Sequence, residues 1–175
     1  DVFNPRWSYG ASKIAGEILT INYGRKKKFD FSIVRYHNVY GPRMGHEHVI
    51  PEFCEKIIKN KFPFEINGAK QTRAFCFVAD AVKATFLCAQ AKKTANQIIN
   101  IGNSVEEIKI IDLARKLFDI AGVKPKITVK PAPKGSVLRR CPDTRLLKNL
   151  TGFSSKVFLD KGLKITFDWY NEYYK

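Results

Sequence analysis

The stretch SYGASKIAGEILTINYGRKKKFDFSIVRYHNVYGP, residues 8–42, reads as a helix, a strand and a turn in that order. Over residues 8–23, Ile14, Ile18 and Ile21 recur at spacings of four and three, which is the period of one helical face. Gly24 predicts the stop, because glycine readily takes the left-handed conformation that closes many helices. Arg25, Lys26, Lys27 and Lys28 follow where cations suit the negative end of the helix dipole. Residues 29–34 are largely apolar and rich in β-formers, as expected of a strand buried on both faces of a parallel sheet. Tyr40-Gly41-Pro42 then punctuates a turn.

Outward from that stretch the alternation continues. Helices are predicted over 51–60, over 80–91 with Asp80 as N-cap and Val82, Phe86 and Ala89 on one face, and over 108–121 with Gly122 as the stop. Two more are expected over 144–150 and 160–174. Short strands are predicted at 64–66, 98–101 and 127–129, with a loop at 131–135. Short buried strands separated by helices indicate an α/β architecture, with right-handed crossovers laying helices on the sheet faces.

A chain of 175 residues that is 45% apolar and 13% aromatic can bury a core, so a disordered tail is excluded. Lys and Arg number 31 against 16 Asp and Glu, a net charge of +15. Such a charge suits anionic ligands, but outside residues 25–28 the cations are dispersed, which argues against a nucleic-acid stripe. Cys54, Cys76, Cys88 and Cys141 have no paired spacing, so neither zinc nor a disulfide framework is expected; reduced cytoplasmic thiols are. His46 and His48 have no third ligand nearby and are expected to make loop contacts. No apolar run reaches the roughly 20 residues of a membrane helix. Asp1 is not preceded by Met and a helix starts within ten residues, which predicts a piece of something longer.

The chemistry-bearing motif is Tyr9-Gly10-Ala11-Ser12-Lys13. Residues four apart share a helix face, so the Lys13 ammonium comes within reach of the Tyr9 phenol. A phenol normally titrates near ~10 and is a poor base at neutral pH. A neighbouring cation favours the phenolate. Tyr9 could then take a proton from a sugar hydroxyl while hydride leaves for a cofactor. Taken alone, the same spacing also describes an amphipathic surface pair.

Its context is Val34-Arg35-Tyr36-His37-Asn38-Val39-Tyr40-Gly41-Pro42-Arg43, then Gln71-Thr72-Arg73-Ala74-Phe75-Cys76-Phe77-Val78-Ala79-Asp80, Asn100-Ile101-Gly102-Asn103, Arg140-Cys141-Pro142-Asp143, Asp160-Lys161-Gly162-Leu163 and Trp169-Tyr170. In this order the blocks resemble the extended short-chain dehydrogenases, specifically the epimerase/dehydratase family acting on nucleotide sugars. The resemblance spans nearly the whole chain.

It implies the C-terminal part of a Rossmann-like, doubly wound parallel sheet plus a small α/β substrate-binding domain. Residues 1–48 would close the NAD-binding part, and 49–175 would form mainly the substrate domain, with 78–103 returning to the first sheet. Tyr9 and Lys13 would be the catalytic base and its partner, Lys13 also holding the nicotinamide ribose, and Tyr36 and His37 would line the nicotinamide. The family commonly has phenylalanine where this chain has His37; a hydrogen-bonded structural histidine is the other reading.

Asn38 and the backbone at Val49 and Ile50 would meet the substrate. Arg73 and Arg140 would grip a nucleotide diphosphate, a task suited to planar guanidinium groups. Asp143 would lie near the ribose or cap the helix before Thr144. Where some relatives stack an aromatic residue on the base, this chain has Asn67. The glycine-rich turn that meets NAD pyrophosphate is not among these residues, nor is the Ser or Thr that completes the Tyr-Lys set, so these 175 residues alone are predicted not to bind NAD.

The resemblance implies an epimerase, of the UDP-hexose 4-epimerase type, homodimeric when whole, with a UDP-sugar as substrate and no membrane or nucleic-acid partner. Alternatives are a UDP-glucuronate decarboxylase, a 4,6-dehydratase, or, remotely, a non-catalytic anion- or nucleic-acid-binding domain.

Overall fold

A computed structural model describes residues 5–174. Helix α1 (Pro5–Lys27) leads into β1 (Ser32–Tyr36) and β2 (Val39–Tyr40), followed by α2 (Val49–Ile58) and β3 (Phe64–Asn67). Next come β4 (Thr72–Ala74), β5 (Cys76–Phe77), α3 (Val78–Gln90) and β6 (Gln97–Ile101). The chain ends with β7 (Glu107–Lys109), α4 (Ile110–Ala121), β8 (Ile127–Lys130), β9 (Arg139–Arg140), α5 (Arg145–Thr151) and α6 (Leu159–Tyr173). Strands β1 and β6, β2 and β5, and β3 and β8 pair in parallel, and β4 lies between antiparallel β7 and parallel β9. The α/β class expected from the alternation is the one observed. The strands missed by periodicity are β2, β4, β5, β7 and β9, all two or three residues long and too short to display a period of two.

Two apolar clusters hold these elements. Phe53, Phe64, Leu113, Leu117, Leu163 and Tyr170 lie within one, where α2, α4 and α6 meet β3. The other gathers Ala81, Ala84 and Cys88 of α3 with Ile99 and Ile101 of β6 and Leu147 of α5. Helix α4 forms as its stripe predicts, burying Leu113, Ala114, Leu117 and Phe118, and Gly122 ends it in the left-handed conformation.

Four local expectations are corrected. Gly24 does not stop α1, which continues to Lys27; the chain turns at Lys28 (φ 55) instead. A Cβ on Gly24 would lie 2.6 Å from the ring of Phe31, the residue just before β1, so this glycine serves that close approach rather than termination. The predicted strand over 29–34 begins later, and β1 is half-buried at best, because among the described residues only β6 pairs with it.

Asp80 is not the N-cap of α3, which is Phe77. It sits buried in the helix's first turn and accepts hydrogen bonds from the backbone N–H groups of Lys156 and Val157, both at 2.9 Å. The Val82 and Phe86 face of α3 is exposed, at 63% and 52%. The small residues Ala81, Ala84 and Cys88 occupy the buried side, where they let the helix approach β6 closely.

The carboxylate of Glu106 completes a second acid clamp by accepting the Leu159 N–H at the start of α6, at 2.9 and 3.1 Å. Together with Asp80 it fixes residues 156–159 to the body of the fold. All four cysteines are free thiols, and burial pushes Cys54 and Cys76 up to about 12. Among the described residues no group of His, Cys, Asp and Glu could hold a metal, and no helix is long and apolar enough to cross a membrane.

Candidate active site

Two clefts adjoin at the end of β1. The first, about 570 Å³, lies between α1 and β1 and is lined by Tyr9, Lys13, Glu17, Arg35, Tyr36 and His37. The shared helical face expected for Tyr9 and Lys13 is present. Lys13 Nζ stands over the Tyr9 ring, 5.1 Å from its centroid, a cation–π placement. Lys13 makes no hydrogen bond or ion pair among the described residues, and Tyr9 is 72% exposed. Both therefore keep their polar groups available to a ligand. The helix is stapled to the strand by Arg35 and Glu17, which meet in two parallel bonds of 2.7 and 2.5 Å. This fork geometry holds the Glu17 carboxyl below its ordinary range, chiefly through the Arg35 hydrogen bond.

Tyr36 and His37 are each oriented by a partner outside the motif. The Thr85 hydroxyl donates to the Ala81 carbonyl at 2.7 Å, so the 2.9 Å contact between Thr85 and Tyr36 has the phenol as donor. Asn100 donates from Nδ2 to the Asp143 carbonyl at 3.2 Å, which turns its Oδ1 toward His37. His37 Nε2 lies 3.2 Å from that oxygen and carries the proton. The histidine is thus both hydrogen-bonded to the scaffold and part of the cleft wall.

The second cleft, about 350 Å³, is lined by Asn38, Val49, Gln71, Arg73, Ser136 and Arg140 among others. Asn38 holds φ 44, a conformation asparagine tolerates better than most residues, and its Nδ2 donates to the Ala74 carbonyl at 2.9 Å. Burial, and then the like charge of Arg140, lower the proton affinity of Arg73. Arg140 is exposed and has no carboxylate partner among the described residues. Two guanidinium groups that face one another without a counter-ion favour an anion between them.

Val49, the first residue of α2, lines this cleft, whereas the Ile50 side chain is wholly buried in the core. Asp143 lines neither cleft. Its carboxylate accepts the Arg145 N–H at 2.9 Å and is forked by the Arg145 guanidinium, which holds it down at about 2. The N-cap of α5 is Thr144, which makes no side-chain cap bond, so Asp143 stands one residue before the cap and accepts the N–H of the helix's first residue. His46 contacts Tyr174 Oη at 2.9 Å through Nδ1, and His48 lines the second cleft. Glu17, Gln71, Thr85, Asn100 and Ser136 were not singled out from sequence. Gln71 and Asn100 stand within the quoted blocks, while Thr85 and Ser136 have no sequence signature.

A model of the NAD dependent epimerase/dehydratase family matches residues 1–102. The chain is 34% identical to the UDP-N-acetyl-alpha-D-glucosaminuronate decarboxylase of Bacillus cytotoxicus, over 95% of this chain and 54% of that protein. It is 32% identical to a putative UDP-glucose 4-epimerase of Methanocaldococcus jannaschii, with the same two shares. The UDP-glucuronic acid 4-epimerase of Bacillus cereus, solved with UDP-glucuronic acid and NAD, superposes with a TM-score of 0.87 at 26% identity, over 95% of this chain and 53% of that one. The chain spans about half the length of the curated relatives it matches. With its two clefts meeting at Tyr36-His37-Asn38, the chain belongs to the NAD dependent epimerase/dehydratase family.

Proposed function

We propose that the whole protein is an NAD-dependent nucleotide-sugar epimerase, of the UDP-hexose 4-epimerase type. The observation that carries this reading is the adjacency of the two clefts: a tyrosine–lysine pair in one, two guanidinium groups in the other, and consecutive residues His37 and Asn38 on their respective walls. Arg73 and Arg140 hold the diphosphate by charge-assisted hydrogen bonds. The sugar then extends past Asn38 toward Tyr9. Tyr9 takes the proton of the sugar hydroxyl as its carbon is oxidised and returns it after the 4-keto sugar has turned over. Lys13, with free N–H donors over the Tyr9 ring, stabilises the phenolate and binds a cofactor ribose. A bound NAD would supply a reversible hydride acceptor for that carbon, which would leave the overall reaction without net redox change. Tyr36 and His37, fixed by Thr85 and Asn100, shape the wall against which a nicotinamide would rest.

A UDP-glucuronate decarboxylase is the second reading. It is supported by the Gly41-Pro42-Arg43-Met44 and Gln71-Thr72-Arg73-Ala74-Phe75 wording and by the similarity to a decarboxylase. Such a lyase shares the oxidation step, as does a 4,6-dehydratase. Incubating the whole protein with UDP-glucose and UDP-glucuronate, then separating the sugar products and trapping carbon dioxide, distinguishes these outcomes. Tyr9→Phe is expected to lower turnover by about 10²–10⁴-fold, the usual contribution of a positioned base, with UDP affinity retained. Undiminished turnover in Tyr9→Phe would remove the phenol from the mechanism. The apolar side chains Ile14, Ile18, Leu19 and Tyr23, exposed along α1, support a homodimer of the whole protein.

A further inference from the structure

Arg73 has five N–H donors, and four are already committed. Nη1 donates to the carbonyls of Thr72 at 2.7 Å and Leu138 at 3.3 Å. Nη2 donates to the Val137 carbonyl at 3.0 Å and to Gln71 Oε1 at 3.1 Å. Three of these acceptors belong to neighbours that could hold the guanidinium without any ligand: the Thr72 carbonyl on its own strand, and two carbonyls from residues 133–138, a strap along one side of the second cleft.

The fourth acceptor, Gln71, joins the two. Because a guanidinium only donates, the oxygen of the Gln71 amide must face Arg73, and Nε2 must point the other way. There it donates to Ser136 Oγ at 2.8 Å, and Ser136 in turn donates to the Pro133 carbonyl at 2.8 Å. Every direction in this chain from guanidinium to strap is determined. Gln71 is 8% exposed, so its amide has little access to water as a replacement partner. The same residue anchors the cleft floor through its backbone, which accepts the Ile110 N–H at 2.9 Å.

We propose that Gln71 is a positioning residue for anion recognition: its two-ended amide couples the Arg73 guanidinium to the strap at 133–138, so that strap order and nucleoside-diphosphate binding rise and fall together. The coupling has a physical sign. An anion between Arg73 and Arg140 relieves their mutual repulsion and strengthens Arg73's hold on its present position. The strap carbonyls then open less often. The proposal rests on the reading of this cleft as the nucleotide-sugar site.

The test uses the whole protein with UDP as probe, reading Kd by calorimetry and backbone amide exchange over 134–138. For the wild type, UDP is expected to slow exchange in the strap. Gln71→Met keeps the side-chain length and removes both hydrogen bonds; it is expected to raise the UDP Kd about tenfold, the loss of one charge-assisted hydrogen bond, and to speed strap exchange. In turnover, the KM for the nucleotide sugar should rise by a similar factor with kcat within about twofold, because Gln71 touches no reacting atom.

Ser136→Ala cuts only the strap end of the relay and guards against a folding defect in the buried variant. It should speed strap exchange and weaken UDP binding less than Gln71→Met does. Arg140→Ala reports on the cleft itself and should abolish UDP binding. If Arg140→Ala abolishes binding while Gln71→Met and Ser136→Ala match the wild type, the relay is refuted and the site stands. UDP that accelerates strap exchange would also refute it, since strap and ligand would then compete for Arg73. A wild type without affinity for UDP would overturn the reading of the cleft, and the relay with it.

Discussion

Gly162→Ala offers a test in which two known effects oppose each other and the structure decides the sign. Gly162 lies in α6, one turn from its start, and replacing a helical glycine by alanine ordinarily stabilises by about 1 kcal/mol. Here the new methyl would overlap the Tyr40 hydroxyl and lie 2.8 Å from Tyr40 Cζ and 3.0 Å from Phe77 Cδ2. Tyr40 is 1% exposed, and its ring packs edge-on against Phe75 and Phe77, at 6.0 and 5.5 Å between centroids. It has no free direction in which to swing. Its hydroxyl also donates to the Leu159 carbonyl at 3.3 Å, a bond that must lengthen or break. Overpacking costs about 1–3 kcal/mol, and a disturbed buried hydrogen bond about 1 kcal/mol more. Setting the gain of about 1 kcal/mol against these leaves a net loss of about 1–3 kcal/mol. For a domain of this size that lowers Tm by roughly 2–4 °C per kcal/mol. Urea and thermal unfolding of the variant measure it, and Tyr40→Phe in the same background should recover part of the loss by removing the overlapped oxygen. A Gly162→Ala protein as stable as the wild type, or more so, would refute the claim that Tyr40 cannot yield.

Two further perturbations test other parts of the structure. Asn38→Gly and Asn38→Ala both remove the amide that donates to Ala74, so both should raise the KM for a nucleotide sugar; Asn38→Ala should also lose about 1 kcal/mol of stability relative to Asn38→Gly, because alanine resists φ 44. Equal Tm values for the pair would show that the backbone there is unstrained. Glu55 is held at about 2, against an ordinary 4.5, by hydrogen bonds from Lys59 and then Lys61. A carboxyl depressed in the fold stabilises it above its unfolded value, and that contribution disappears as pH falls through the folded one. The Tm difference between wild type and Glu55→Gln should therefore be full at pH 6 and shrink between about pH 4.5 and 2; a difference independent of pH would contradict the pairing.

The parts of the fold legible in the sequence were those with enough length to show a period. The α4 stripe of Leu113, Ala114 and Leu117 is buried as its spacing requires. In α3, Val82 and Phe86 share a face as their spacing requires, but that face is exposed. That helix carries a large apolar stripe outside and a small one, Ala81, Ala84 and Cys88, inside, and hydrophobic size alone favoured the first. Gly24 was misread for a related reason: a glycine after a helical run usually marks a stop, and nothing local reveals that the Phe31 ring comes back against it. For the candidate site, residues in compact blocks could be read, because one turn of helix or one strand end brings them together. Thr85, which orients Tyr36 from 49 positions away, and Ser136, which closes the Gln71 relay from 65, could not, since only the folded chain sets such distances.

The pairing of the two clefts depends on a junction one peptide unit long. His37 donates its backbone N–H to Ile101 at 2.9 Å and so continues the β1–β6 sheet. Asn38 accepts the Cys76 N–H at 3.1 Å and so begins the β2–β5 pair, whose Tyr40 belongs to the other apolar cluster. Successive residues are thereby bonded to different sheets, and the left-handed turn at Asn38 lets the chain change partners without a loop. Adjacent Cα atoms are about 3.8 Å apart across a trans peptide, so the wall facing Tyr9 and the wall facing Arg73 cannot drift relative to one another at this point. On the proposed function, a flexible linker would let the Arg73–Arg140 pair and the Tyr9–Lys13 pair move independently, and a substrate spanning both would lose entropy in aligning them. With the junction rigid, the alignment exists before any ligand arrives, and a side chain at position 38 that spoils the turn should affect both clefts at once.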